Sequence, residues 1–297
     1  MNALPITIVV PCFERPHALR RTLPSLLAQP VAEIVVVDDG SREPIETVVR
    51  ATAGHDARVR VLRLERNVGS ASARNAGLAA TSAPFVLFGD DDVALAKDHA
   101  TTLHSHLVEH RADVAAGRRL WLQPGETVEQ ARQARRRLVP PERLVDRTHF
   151  AYDDEADFER DLAAPLVGAV MLVRRELLRQ VRYEETLYRR TGFREETDFQ
   201  VQARRAGARL LACRHALSFH LPKSEVGRAG GQRRGRLLAY EWHLLRNDAA
   251  FRRKHFAALR DELGFDPGPT PWLGALRAYF GFRVPSKARH LLGRPGP

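Results

Sequence analysis

Phe85-Val86-Leu87-Phe88-Gly89-Asp90-Asp91-Asp92-Val93 is an apolar run that ends in three consecutive carboxylates. A strand buried on both faces of a parallel sheet reads as continuous Val, Leu and Phe rather than as an alternation. Three adjacent aspartates cannot be buried without partners, because their charges repel and each loses its hydration. They therefore belong at the strand's carboxyl end, facing solvent or a cation. In open α/β sheets that edge is where ligands bind, and a hard divalent ion takes oxygen ligands there. An isolated acidic triplet would read equally as a solvated loop, so its surroundings decide.

Working outward, residues 33–41 form a second apolar strand that ends in Asp38-Asp39 and a Gly40-Ser41 turn. Residues 6–11 are a third strand, closed by Pro11, and 59–64 a fourth. Between them lie helical patterns over 15–29, 44–51 and 70–80. Pro24 inside the first of these predicts a kink or a second start. Strand and helix in strict alternation give a parallel sheet with right-handed crossovers. Beyond the triplet, 97–110 is expected to be helical and 114–117 a strand. Residues 123–161, rich in Arg, Glu and Gln and broken by Pro124-Gly125 and Pro140-Pro141, are expected to form a partly helical surface insertion. An apolar strand-like run resumes at 165–173. Helical patterns at 175–181 and 196–206 follow, the latter ended by Gly207. A strand at 210–213 leads to His215 and His220. Then come a basic glycine-rich loop over 227–235 and a long helix over 237–263. The tail from Gly264 carries an apolar and basic segment, Trp272–Phe282, expected to dock as a helix.

With 44% hydrophobic residues in 297, the chain can bury a substantial core. Two cysteines without a CxxC spacing exclude a disulfide scaffold and a zinc ribbon and suit a reducing, cytoplasmic setting. No apolar run approaches the ~20 residues that span a bilayer, and the N-terminus lacks a signal-peptide pattern. The net charge of +11 admits nucleic acid, anionic lipid or a phosphorylated small molecule as partner.

Four motifs occur in order: Val9-Val10-Pro11-Cys12-Phe13-Glu14-Arg15, Val36-Val37-Asp38-Asp39-Gly40-Ser41, Arg66-Asn67-Val68-Gly69 with Ala73-Arg74-Asn75-Ala76-Gly77, and Gly89-Asp90-Asp91-Asp92. Together they closely resemble the nucleotide-sugar-binding half of family 2 glycosyltransferases, over roughly residues 5 to 120. A weaker similarity continues through Gly168-Ala169-Val170-Met171, through Phe193-Arg194-Glu195-Glu196-Thr197-Asp198-Phe199 and to His220.

The resemblance implies an α/β fold of the GT-A type: a Rossmann-like, mostly parallel central sheet flanked by helices, with a helical C-terminal extension. It divides the chain into a nucleotide-sugar-binding half (1–122), a variable insertion (123–163), an acceptor-binding and catalytic half (164–235) and the extension (236–297). It implies inverting transfer of a sugar from a nucleoside diphosphate sugar, UDP first and dTDP or GDP as alternatives, to a sugar, lipid-linked or small-molecule acceptor. Pro11, Phe13, Glu14, Arg15, Asp38, Asp39, Asn67, Gly69, Arg74, Asp90 and Asp91 are the implied donor-binding residues. One of Asp38 and Asp39 would accept a hydrogen bond from the nucleobase, since an ionised carboxylate only accepts; the other would hold the turn. Arg74 would act as a fork donor to the nucleotide. Alternate residues of an extended segment point the same way, so Asp90 and Asp92 would share the metal, with Asp92 as direct ligand and His220 as the third. Mn²⁺ or Mg²⁺ is the implied cofactor, an imidazole favouring Mn²⁺. Glu196 is the implied general base, with Asp198 as substitute. The stretch Arg228 to Arg236 would close over the diphosphate, and Trp272–Phe282 offers peripheral membrane contact.

Two other readings compete. A nucleotidyltransferase shares the βαβ architecture, but a glycine-rich phosphate loop after the first strand is missing. A nucleic-acid-binding protein would use the basic surface, but aromatic residues are not interleaved in the basic runs, so no nucleic-acid partner is expected.

Overall fold

The computed structural model describes residues 3–188, 190–222, 224–226 and 237–283. The apolar runs become strands β1 (Leu4–Cys12), β2 (Val31–Asp38), β3 (Val59–Arg63) and β4 (Phe85–Phe88), with helices α1 (Pro16–Leu27), α2 (Glu46–Ala53) and α3 (Ser70–Ala79) between them. All pairings among these four strands are parallel, in the order β3-β2-β1-β4. The chain thus winds one way from β1 to β3 and then places β4 on β1's other side. A crevice opens at the carboxyl ends of β1 and β4, the topological switch point at which α/β sheets bind ligands. α1 runs through Pro24 as one helix without a second start.

The sheet continues through short β5 (Val93–Leu95), helix α4 (His99–Glu109) and β6 (Val114–Trp121). β6 is twice the expected length and carries Arg118, Arg119 and Trp121 towards the crevice end. Helix α5 (Val128–Ala134) opens on a capping box between Thr127 and Gln130. Two-residue strands β7 (Val145–Asp146), β8 (Ala151–Tyr152) and β9 (Leu162–Ala163) follow. β10 (Met171–Arg174) lies antiparallel between β4 and β6. Only this part of the apolar run at 165–173 is a strand, and 175–181 shortens to one 3-10 turn at Leu177–Arg179. Helix α6 (Glu195–Arg205) leads to β11 (Leu210–His220), which pairs with β6, β5 and β9 and holds both histidines in the sheet. α7 (Leu237–Ala257) gives way to a π-turn, and α8 (Pro271–Ala278) packs back on it. No helix among the described residues is long and apolar enough to cross a membrane.

The unbroken apolar strands bury both faces. Ile8 and Val10 face a core with Leu19, Leu23 and Leu103; Val9 and Val37 face one with Ala73, Leu78, Phe88 and Phe199. α3 lies unusually close to the sheet at Gly77, where a Cβ would stand 2.4 Å from Val9 Cγ1.

Most of 123–161 is exposed or half-buried and partly helical, while Ala131, Phe150, Ala156 and Phe158 anchor it in the core. Arg118 donates to the Arg135 and Glu155 carbonyls at 2.8 and 3.0 Å, and the Trp121 amide donates to Glu155 at 2.9 Å.

Candidate active site

A cleft of about 1480 Å³ opens over the switch point. Pro11, Phe13, Arg15, Asp39, Asn67, Gly69, Arg74, all three aspartates of the triplet, Glu196 and His220 line it. Sequence-distant motifs are thus brought to one place.

The pair Asp38-Asp39 resolves into two roles. Asp38 is fully buried and holds the turn, accepting from the Ser41 amide at 2.9 Å, the Ile45 amide at 3.2 Å and the Arg63 guanidinium at 2.5 Å. It does not line the cleft; Asp39 does. Asp39 accepts from Asn67 Nδ2 at 2.9 Å and from the Val68 and Gly69 amides at 2.8 and 3.0 Å, which ties the Asn67–Gly69 loop to the end of β2. Burial raises its carboxyl above the usual range despite these donors. Glu14 also departs from expectation. With φ +55 it turns back, its carboxylate caps the Arg42 amide at 2.9 Å, and it stays out of the cleft.

The triplet is a turn rather than an extended segment, so the alternate-residue expectation fails. Asp91 and Asp92 both accept from Arg15 Nη1, at 3.0 and 2.7 Å. Asp90 points to another cation, Arg74, at 2.6 Å, with Arg119 at 3.9 Å. Burial pushes Asp90 up, but Arg74 and Arg119 more than offset it and its carboxyl is lowered. Asp91 has no such surplus: burial and neighbouring Asp92 raise it to about 7.

His220 is set beside Asp92 by the backbone. β5 follows the triplet directly and pairs with the end of β11, placing Val93 opposite His220, and the Leu221 amide donates to the Asp92 carbonyl at 2.9 Å. His220 Nδ1 lies 2.7 Å from the Leu221 carbonyl oxygen. A carbonyl only accepts, so Nδ1 carries a proton, and the neutral form of a ring so oriented has its lone pair on Nε2. Nε2 faces Asp92 Oδ1 at 3.5 Å, and the ring stacks on Trp121 at 4.0 Å between centroids. An oriented imidazole lone pair beside carboxylate oxygens is a donor set that fits a divalent cation.

Arg74 lines the cleft but spends its guanidinium on acids. It is buried and holds Asp90, Glu195 at 2.9 Å and Glu196 at 3.3 Å, with the Tyr183 ring 5.1 Å from its guanidinium carbon. It organises the acids and leaves little of its fork for a nucleotide. Glu195 is buried under Arg74 and Ser70, whereas the Glu196 side chain keeps 27% of its surface. Burial, then Glu195, raises the Glu196 carboxyl to about 7. A carboxylate poised there can exchange protons near neutrality. Both acids start α6, whose first turn is fixed by Arg194: φ +84, with its guanidinium on Asp248 at 2.6 Å and on the His149 and Phe150 carbonyls.

Asp198, expected as a substitute base, is corrected. It is fully buried, lies outside the cleft lining, and accepts from Tyr188 at 2.8 Å, His255 at 2.6 Å and Lys254 at 3.0 Å. It fastens α6 to α7. The basic stretch Arg228 to Arg236 lies outside the described residues.

Arg119, Trp121 and Asp154 are cleft residues that sequence reasoning does not single out. Arg119 donates to Asp154 at 2.6 Å, and its guanidinium carbon lies 5.3 Å from the Trp121 ring. Alternation beyond Gly117 was the available signal for Arg119 and Trp121, and the acidic patch at 153–155 the signal for Asp154.

Residues 7–182 match the family model of glycosyl transferase family 2. The glycosyltransferase GlyA of Streptococcus pneumoniae serotype 4 is 36% identical over 114 residues, 38% of this chain and 16% of that protein. The succinoglycan biosynthesis protein ExoU of Rhizobium meliloti is 30% identical over 208 residues, 69% of this chain and 58% of that protein. The chain therefore spans less than two thirds of either relative. Among solved structures, S. aureus TarS 1–349 in complex with UDP-GlcNAc has a TM-score of 0.56 at 18% identity, covering 94% of this chain and 81% of that one. The mannosyltransferase PcManGT from Pyrobaculum calidifontis, in complex with GDP-Man and Mn²⁺, has a TM-score of 0.59 at 18% identity, covering 96% and 72%. These two likenesses concern the fold.

Proposed function

The chain belongs to glycosyl transferase family 2, and we propose that it transfers a sugar, with inversion, from a nucleoside diphosphate sugar to an acceptor hydroxyl. The observation that carries this reading is the convergence of Asp92, His220 Nε2 and Glu196 on one cleft. That cleft is larger than the ~300–1,000 Å³ of a single small-ligand pocket, which leaves room for donor and acceptor together.

Asp92 and His220, with Asp90 nearby, would hold Mn²⁺ or Mg²⁺. When bound, the ion supplies positive charge to the diphosphate leaving group. Asp39 and the Asn67–Gly69 loop it anchors would receive the nucleobase and ribose, with Pro11 and Phe13 as walls. Arg15 and Arg119 are cations within reach of the diphosphate or sugar. Glu196 accepts the acceptor's hydroxyl proton as that oxygen attacks the anomeric carbon. The bond from that carbon to the diphosphate oxygen breaks, and the nucleoside diphosphate leaves with the electron pair. Neighbouring folds bound to UDP-GlcNAc and GDP-Man keep UDP and GDP both in play, with dTDP beside them.

The test is donor hydrolysis and transfer over a panel of UDP-, dTDP- and GDP-sugars with Mn²⁺ or Mg²⁺. At least one donor should be consumed only with metal present, and Asp92→Asn should lose this by at least about 10²-fold while melting normally. An Asp92→Asn protein with full activity overturns the assignment.

A further inference from the structure

α7 and α8 each show two faces. One side of each lines the cleft, through Tyr240 and Leu244 on α7 and Ala275 and Ala278 on α8. The other side puts large apolar side chains in water. Leu238 is 82% exposed, Trp242 53%, Trp272 44%, Leu273 53%, and Phe280, just beyond α8, 63%. Trp242 and Trp272 stack across the two helices with centroids 6.0 Å apart, so the exposed faces of α7 and α8 meet in one aromatic surface. Leu238, Trp242 and exposed Arg246 follow one another at four-residue spacing along α7. Monomeric proteins seldom expose contiguous apolar surface of this kind without a partner.

Charge identifies the partner. From Pro271 to the end the sequence carries Arg277, Arg283, Lys287, Arg289 and Arg294 and neither Asp nor Glu. Residues 227–236, which precede α7, carry four arginines and no acid. The acids of α7 itself, Glu241 and Asp248, are buried, and Asp248 is neutralised by Arg194 and Arg252. Arg277 of α8 pairs with Asp266 at 2.7 Å, and exposed Arg246 continues the line of Leu238 and Trp242. An aromatic apolar face with a cation on it, in a stretch of sequence this rich in arginine, fits an anionic lipid surface, with rings at the level of the headgroups. It does not suit an acidic protein partner as well, since indole rings would meet charge there.

We propose that the outer face of α7 and α8 docks on an anionic membrane surface. This would set the cleft mouth beside the bilayer and fits a lipid-linked acceptor. The choice of acceptor rests on the glycosyl-transfer reading above; the docking does not.

The test uses the full chain without donor or metal. It is mixed with vesicles of phosphatidylglycerol or of phosphatidylcholine and followed by cosedimentation and by quenching of tryptophan fluorescence with brominated lipid. Binding should be about tenfold or more tighter to phosphatidylglycerol, fall with salt, and bring quenching. The double variant Trp242→Ser/Trp272→Ser should lose about tenfold or more of that binding, while its melting temperature and donor hydrolysis in solution are retained. Equal binding to both vesicles, absence of quenching, or unchanged binding of the double variant overturns the proposal. So does a dimer in solution that the double variant dissolves, since the face would then serve a second copy. Donor hydrolysis is measured apart from vesicles, so loss of docking and loss of the enzymatic reading are told apart.

Discussion

Two carboxylates in the first turn of α6 have opposite fates, and helix period explains why. Glu196 reaches the cleft with part of its surface open, while Asp198, two positions on, is sealed against α7. The same sequence motif therefore makes two separable predictions. Glu196→Gln should lower turnover by about 10²- to 10⁴-fold and leave donor affinity by calorimetry unchanged. In the parent protein turnover should rise with pH through about 7, because burial and Glu195 hold the Glu196 proton on below that and only the ionised form can act as base. A flat profile between pH 5.5 and 8.5, taken as a range about the ordinary histidine and carboxyl values, would remove Glu196 from the role. Asp198→Asn should instead cost stability. Burial opposes the Asp198 charge, but the His255 bond and Lys254 more than compensate, and its carboxyl is lowered in the fold. A lowered carboxyl contributes stability that is present above its unfolded value of about 3.9 and is lost as pH falls through the folded value. Near neutrality the substitution should cost about 3–5 kcal/mol in urea unfolding, leaving Lys254 and His255 without their anion. A variant as stable as the parent would contradict this.

At the scale of elements, legibility depended on how far apart in sequence the causes lay. The strands, their order of appearance and the carboxylates at their ends could be read directly, because apolar continuity and turn residues are local signals. The division of labour between Asp38 and Asp39 could not, since it depends on Ser41, Ile45, Arg63 and the distant Asn67 loop. His220 was nameable, but its tautomer and its approach to Asp92 come from the β5–β11 ladder, which joins residues more than a hundred apart. In the largely exposed or half-buried segment 123–161 composition gave no sign of buried anchors such as Ala131, Phe150, Ala156 and Phe158, because isolated apolar residues in a polar run carry no period. Gly77 shows the reverse case, a motif residue with a purely steric cause. Its missing Cβ lets α3 lie on β1, where Val9 is fully buried and cannot move aside. Gly77→Ala gains helix propensity of about 1 kcal/mol, but overpacking costs about 1–3 kcal/mol, and with a contact of 2.4 Å the clash should win. Adding Val9→Ala removes the obstructing methyl, so the double variant should lose less than the sum of the two single losses. Strict additivity in chemical unfolding would show that Val9 is not the obstacle.

For the whole molecule, the decisive point is that the acidic cluster is tied together from within. Arg15 holds Asp91 and Asp92, while Arg74 and Arg119 face Asp90 and are shared with Glu195, Glu196 and Asp154, so the carboxylates are held in place by arginines and not by a divalent ion alone. Metal should therefore act through the ligand and not through the fold. A chelator should leave the melting temperature of the ligand-free chain unchanged, in contrast to a structural metal centre, whose binding energy is folding energy. A nucleoside diphosphate at about a hundred times its Kd should stabilise the chain by about 2.7 kcal/mol. At about 2–4 °C per kcal/mol for chains approaching this size, that is a rise of about 5–10 °C. Mn²⁺ should enlarge the rise for the correct nucleotide, and the enlargement should vanish in Asp92→Asn and in His220→Ala, while the metal-free part persists. Because the cleft is lined from both ends of the chain, from Pro11 to Tyr279, a ligand there holds the molecule together as a unit and the shift should appear as one cooperative transition. If Mn²⁺ alone raised the melting temperature as much as Mn²⁺ with nucleotide, the internal arginines would not be the balancing charges, and the acids would have to be read as a structural ion site.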